Sequence, residues 1–169
     1  MKSGAAIALV SASLFAGAWA DRQASASLDT DLRVFIARVA EAAETEFRTF
    51  KGSRLEPGTI TGNPREAPSW ESVAKLTGWG RSYVFGTTYT AYLDSRFDTN
   101  DAAEQHYLRL AIVMRSTLGD SWTYKTTELS RGRARYSSAS RNGVSLSMQV
   151  HFPSGTEGPF ITFTAEARR

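Results

Sequence analysis

The chain has 169 residues and a formal net charge of +3, from 20 basic against 17 acidic residues, and it contains no cysteine. A charge this small does not argue for nucleic acid. The missing cysteines exclude disulfides, zinc–thiolate centres, cysteine nucleophiles and thiol redox motifs.

The first twenty residues, MKSGAAIALVSASLFAGAWA, place Lys2 before an uncharged apolar run that ends in Ala18 and Ala20 around Trp19. This is the layout of a secretory signal peptide, with cleavage expected between Ala20 and Asp21. The competing reading is an uncleaved anchor, because the run from Gly4 to Ala20 is at the short edge of the roughly 17 to 25 residues that cross a bilayer. A basic stop-transfer flank is missing, so export to the periplasm or the outside is expected, with no membrane span after cleavage. Residues 21–28 read as a polar leader and 29–169 as one domain, long enough for a sizeable core and short for two.

Between Asp29 and Lys51, Leu32, Phe35, Ile36, Val39, Ala43, Phe47 and Phe50 recur at helical spacing, with Glu41, Glu44 and Arg48 on the other side. The spacing predicts an amphipathic helix ended by Gly52. Residues 52–82, punctuated by Pro57, Gly58, Gly62, Pro64, Pro68, Gly78 and Gly80, read as a long loop. Inside it, Ser69 is placed to cap a short helix through Trp70, Val73 and Ala74.

The aromatic and threonine-rich run YVFGTTYTAYLDSRF, from Tyr83, predicts one central strand. A second helix follows, capped by Asp98, Thr99 or Asn100 and ended by Gly119, with Ala103, Tyr107, Leu110, Ala111, Met114 and Leu118 as its apolar stripe. Short extended segments are expected at 122–128, 131–139, 144–152 and 159–166. The order predicts an α+β fold: a mainly antiparallel sheet of four to five strands with two main helices packed on one face. No internal repeat is visible.

The stretch RGRARYSSASRNGVSLSMQV, residues 131–150, poses a question of register. A two-residue turn at Asn142 and Gly143 would set Arg135 opposite Val150 and place charge on the apolar face. A three-residue loop, Arg141 to Gly143 with a glycine bulge, instead pairs Tyr136 with Met148 and Ala134 with Val150. That loop is expected, and it collects Arg131, Arg133, Arg135, Gln149 and His151 on one polar face. Such a face is either the solvated side of an ordinary sheet or a binding surface for a carboxylate, a phosphate group or an acidic protein.

Catalytic signals are sparse. His106 and His151 are the two histidines and lack a third ligand at metal-binding spacing. No G-x-S-x-G or S-x-x-K pair stands in a context that supports a nucleophile, and no phosphate loop is present, while Glu71, Asp94, Asp98, Asp101 and Glu104 could pair for glycoside chemistry only in space. No catalytic residue, metal or cofactor is assigned. The expected function is that of a non-enzymatic exported binding or accessory protein meeting an acidic partner through the arginine-bearing face. The alternative is a small-ligand carrier or hydrolase, with a pocket between the second helix and the sheet walled by Trp79, Tyr89, His106 and Tyr107.

Overall fold

The computed structural model describes residues 29–60, 68–75, 79–93, 96–129, 134–154 and 158–168. Helix α1 runs across residues 29–43 and is followed by a 3-10 turn at Arg48–Phe50. Strands β1 (Lys51–Arg54), β2 (Ser69–Ser72), β3 (Trp79–Phe85) and β4 (Thr88–Leu93) precede helix α2 (Asn100–Leu118). Strands β5 (Thr123–Leu129), β6 (Ala134–Arg141), β7 (Val144–His151) and β8 (Phe160–Ala167) complete the chain. All the strands join one antiparallel sheet in the order β1-β2-β3-β4-β8-β7-β6-β5.

The fold is therefore α+β with two helices and an antiparallel sheet, but the sheet has eight strands rather than four to five. The additional strands lie where a loop was expected. Ser69 starts β2 instead of capping a helix, and β1 and the first half of β3 fall inside 52–82. The run from Tyr83 is two strands, because Gly86, at φ +57°, turns the chain so that Phe85 pairs with Thr88. Glycine with positive φ at the first central position is what a two-residue hairpin of type II′ requires. The chain thus passes twice through a helix followed by four strands, and the two sets meet at β4 and β8.

Helix α1 buries its expected stripe, Leu32, Phe35, Ile36, Val39 and Ala43. It ends well before Gly52, because Glu46 and Phe47 adopt left-handed φ values of 54° and 56°. The apolar pattern continues past this break because the turn redirects Phe47 and Phe50 onto Tyr89, at ring separations of 6.0 and 5.4 Å. In α2, Thr99 is the cap: its hydroxyl accepts from the Ala102 amide at 3.2 Å, satisfying one of the free N–H groups of the first turn.

Both helices cover one face of the sheet. Phe35 of α1 meets Tyr89 and Phe163, and Tyr107 of α2 reaches Ser137. The helices are tied to each other by the ion pair of Asp29 with Arg109 and by Arg33 donating to Ser116. Beneath them run cross-strand rows of buried side chains, Tyr89, Ala165, Leu146 and Ala139 in one and Ala91, Phe163, Met148 and Ser137 in the next. The buried Tyr89 hydroxyl donates to the Ala74 carbonyl at 3.1 Å, as does Ser82, and burial pushes the Tyr89 pKa up to about 12.

The β6–β7 register differs from the expected one. Arg141 pairs with Val144 across a two-residue turn, and Asn142 and Gly143 have φ values of 49° and 78°, the left-handed pair of a type I′ hairpin. Tyr136 then opposes Gln149, Ala134 opposes His151, and Arg135 opposes Val150 on the helix side. The charge on that face is compensated from outside the hairpin: Glu104 of α2 forms an ion pair with Arg135 at the rim of the core.

Candidate partner-binding face

Among the described residues, no helix covers the other face of the sheet. Alternation along the strands lines it with polar, mostly hydroxyl-bearing rows, Thr88, Glu166, Ser145 and Ser140, then Thr90, Thr164, Ser147 and Ser138, then Tyr92, Thr162, Gln149 and Tyr136. Most of these side chains are half-buried among their neighbours, as expected for short polar groups packed side by side on a pleated surface.

At one end of this face the rings are organised. His151 stacks on Phe160 with centroids 4.4 Å apart and an interplanar angle of 8°, and the Arg96 guanidinium is 4.2 Å from the centre of the same ring. The imidazole is also held by Gln149, 3.4 Å from its Nδ1, and by the Thr162 hydroxyl, 3.0 Å from its Nε2. Burial, and then the positive charge of Arg96, hold the His151 pKa below the usual histidine value. His106, half-buried against Phe97, is lowered by burial and then by Arg109.

These two shifts have a consequence for stability. A histidine held neutral in the native state charges more readily when unfolded, so the unfolded chain binds more protons as pH drops. Its contribution is complete above an unfolded pKa of about 6.5 and is lost as pH falls through the lowered native value. Urea unfolding should accordingly show a lower midpoint at about pH 5.5 than at about pH 7.5, and H151Q should reduce that difference. An unchanged difference in H151Q would contradict a neutral imidazole in the stack.

Three open clefts lie on this face and at its ends. One, of about 400 Å3, includes Arg81, Tyr83, Tyr92, Arg96 and Phe160. A second, of about 470 Å3, adjoins it through Phe160 and includes Gln149 and His151. The third, of about 670 Å3 at the other end of the strands, includes Lys125, Tyr136, Ser138, Arg141 and Arg168. None of the three is lined by an aspartate or glutamate among the described residues. Glu166 is on the same face and is bridged to Arg168 at 3.2 Å.

Of the residues expected to form a binding face, Gln149 and His151 come together here. Arg135 is on the helix side with Glu104, and Arg131 and Arg133 lie outside the described residues. The basic groups that share the face with His151 are instead Arg81, Arg96, Lys125 and Arg168. Arg81 and Tyr83 alternate in a way that marks a strand, but this signal was hidden inside the stretch read as a loop. Arg96 carries no local signal, since its position depends on Phe160, 64 residues further along.

Of the residues named for an inner pocket, three are packed and His106 is half-buried. Trp79, Tyr89 and Tyr107 are buried, Trp79 edge-on to Phe163 at 6.4 Å and the Tyr107 hydroxyl 2.5 Å from that of Ser137. Beside them an open groove of about 230 Å3 runs along α2, bordered by Tyr107, Leu108, Ile112 and Tyr124. Among the described residues there is no group of three or more metal-ligating side chains and no helix long and apolar enough to cross a membrane. No protein-family model matches this chain, and no curated protein or solved structure matches it.

Proposed function

We propose that this chain is an exported, non-enzymatic binding or accessory protein that meets an acidic partner with the face of its sheet opposite α1 and α2. One observation carries the reading: the clefts of that face hold Arg81, Arg96, Lys125 and Arg168, and no carboxylate lines them among the described residues. Arg168 is bridged to Glu166, but no carboxylate lines the clefts of the other three among the described residues, and such cations complement an anionic surface, steering it in and fixing its register. The packed aromatic core under the helices supports a role outside the molecule's interior, and export rests on the layout of residues 1–20.

Titration with poly-L-glutamate tests the charge complementarity. The double variant R81E/K125E should bind at least about tenfold more weakly than the unsubstituted protein, the scale of losing two charge-assisted contacts. R38E/R48E makes the same change in net charge at exposed positions on α1 and the turn after it, and should bind as the unsubstituted protein does. Equal weakening in both variants would reduce the effect to overall charge and remove the face from the argument.

A further inference from the structure

We infer that the cleft of Arg81, Tyr83, Tyr92, Arg96 and Phe160 is the anchor of that face, and that it takes an acidic peptide segment carrying an aromatic residue beside a carboxylate. The inference rests on the proposed acidic partner and narrows it to one site and one chemistry.

Arg96 is already oriented. Its guanidinium sits over Phe160 at 4.2 Å and donates from Nη1 to the Gly158 carbonyl at 3.3 Å. A guanidinium has five N–H donors in a fixed fork, so anchoring one leaves a preorganised edge for a carboxylate and lowers the entropic cost of binding it. Arg81, exposed on β3, lines the same space. Two guanidinium groups in one cleft repel, and an anion between them converts that repulsion into attraction.

A bare anion would leave most of the cleft unused. Its volume of about 400 Å3 is in the range of sites that hold a ring-sized ligand. Tyr83 and Tyr92 meet edge to face at 6.4 Å and 72°, and Tyr92 is 38% exposed. Ile60 and Leu93 add apolar wall to the same cleft. Together these offer a ring an aromatic neighbour and an apolar border, next to the two cations. A flat ring adjoining a carboxylate matches all of them at once.

The cleft is also not closed on itself. It borders, across Phe160, the neighbouring cleft of Gln149 and His151, of about 470 Å3, so a chain leaving the anchor has open space beside it. That space favours a peptide segment over a free small acid.

Isothermal titration with two synthetic peptides, acetyl-Glu-Glu-Tyr-Glu-Glu-amide and its alanine-centred counterpart, tests the anchor. The tyrosine peptide should bind about tenfold or more tighter. Y92A should erase that ratio, R81Q should weaken both peptides, and R48Q, exposed in the turn after α1 and away from this face, should leave both unchanged. Amide shift changes at residues 81–83 and 92–93 should accompany binding, and R81Q, altering an exposed side chain, keeps the test valid if Y92A folds poorly. If both peptides bind the unsubstituted protein alike, the anchor is refuted and the broader acidic-partner reading stands. If neither binds the folded protein, both readings fall.

Discussion

Truncating Phe163 to alanine should lower the unfolding free energy by about 3 to 5 kcal/mol. Phe163 is 1% exposed in β8, one of the two strands where the halves of the sheet meet. Its ring touches Phe35 of α1 at 5.9 Å and Trp79 of β3 at 6.4 Å. Its backbone neighbours are Ala91 and Met148 on the flanking strands. Strands hydrogen-bonded on both sides cannot close in on the missing ring, so the cavity persists and its cost adds to the lost transfer energy. Against a typical total of roughly 5 to 15 kcal/mol this is a large fraction. Thr164→Ala, one residue on and facing outward, should shift stability by no more than about 0.5 kcal/mol. Guanidinium unfolding curves of both variants read the difference, and a loss below about 1 kcal/mol for the Phe163 variant would mean that the two helices repack into the space.

Gly143→Ala should be the most damaging change in any hairpin turn of the described sheet. Gly143 has φ +78°, a conformation that costs an L residue roughly 1 to 2 kcal/mol. In addition, an added Cβ would lie 2.7 Å from the Arg168 carbonyl oxygen, which belongs to a backbone already bonded to Gly143 through the Arg168 amide at 2.6 Å. Gly86→Ala provides the comparison, because Gly86 has φ +57° with nothing within 4 Å of the added Cβ. It should cost about 1 kcal/mol from conformation alone, and Gly143→Ala distinctly more. Equal losses by chemical denaturation would show that the C-terminal segment gives way freely and that steric approach plays no part.

The same turn shows why register was the hardest feature to read. Locally, Arg135 opposite Val150 looks like charge forced into the core, and the three-residue loop removes that conflict at little apparent cost. The native two-residue turn is nevertheless preferred, because Asn142 and Gly143 accept the left-handed pair of a tight hairpin and Glu104 supplies the counter-charge from α2. That carboxylate is 31 positions away in the chain, beyond any local pattern.

The binding face divides in the same manner. Gln149 and His151 could be placed from alternation in β7, whereas Arg81 was lost with a strand hidden among prolines and glycines. The Arg96, Phe160 and His151 cluster depends on three separate segments meeting at one end of the sheet.

By itself, then, the sequence determined what depends on neighbours within a turn or a strand. It specified the buried stripe of α1, most of that of α2, where Val113 is buried and Ala111 and Leu118 are half-buried, the termination of α2 at Gly119, the inward row Val144, Leu146, Met148 and Val150, and an α+β chain with an antiparallel sheet. Periodicity reports which side of an element is apolar, and those sides were correct. The tertiary structure alone decided that the sheet has eight strands, that Gly86 divides one apparent strand into two, that Arg135 turns toward the helices, and which cations share the open face. Each of these is settled by pairing, packing or charge compensation between residues far apart in sequence, where the free energy of a position belongs to its partner as much as to itself.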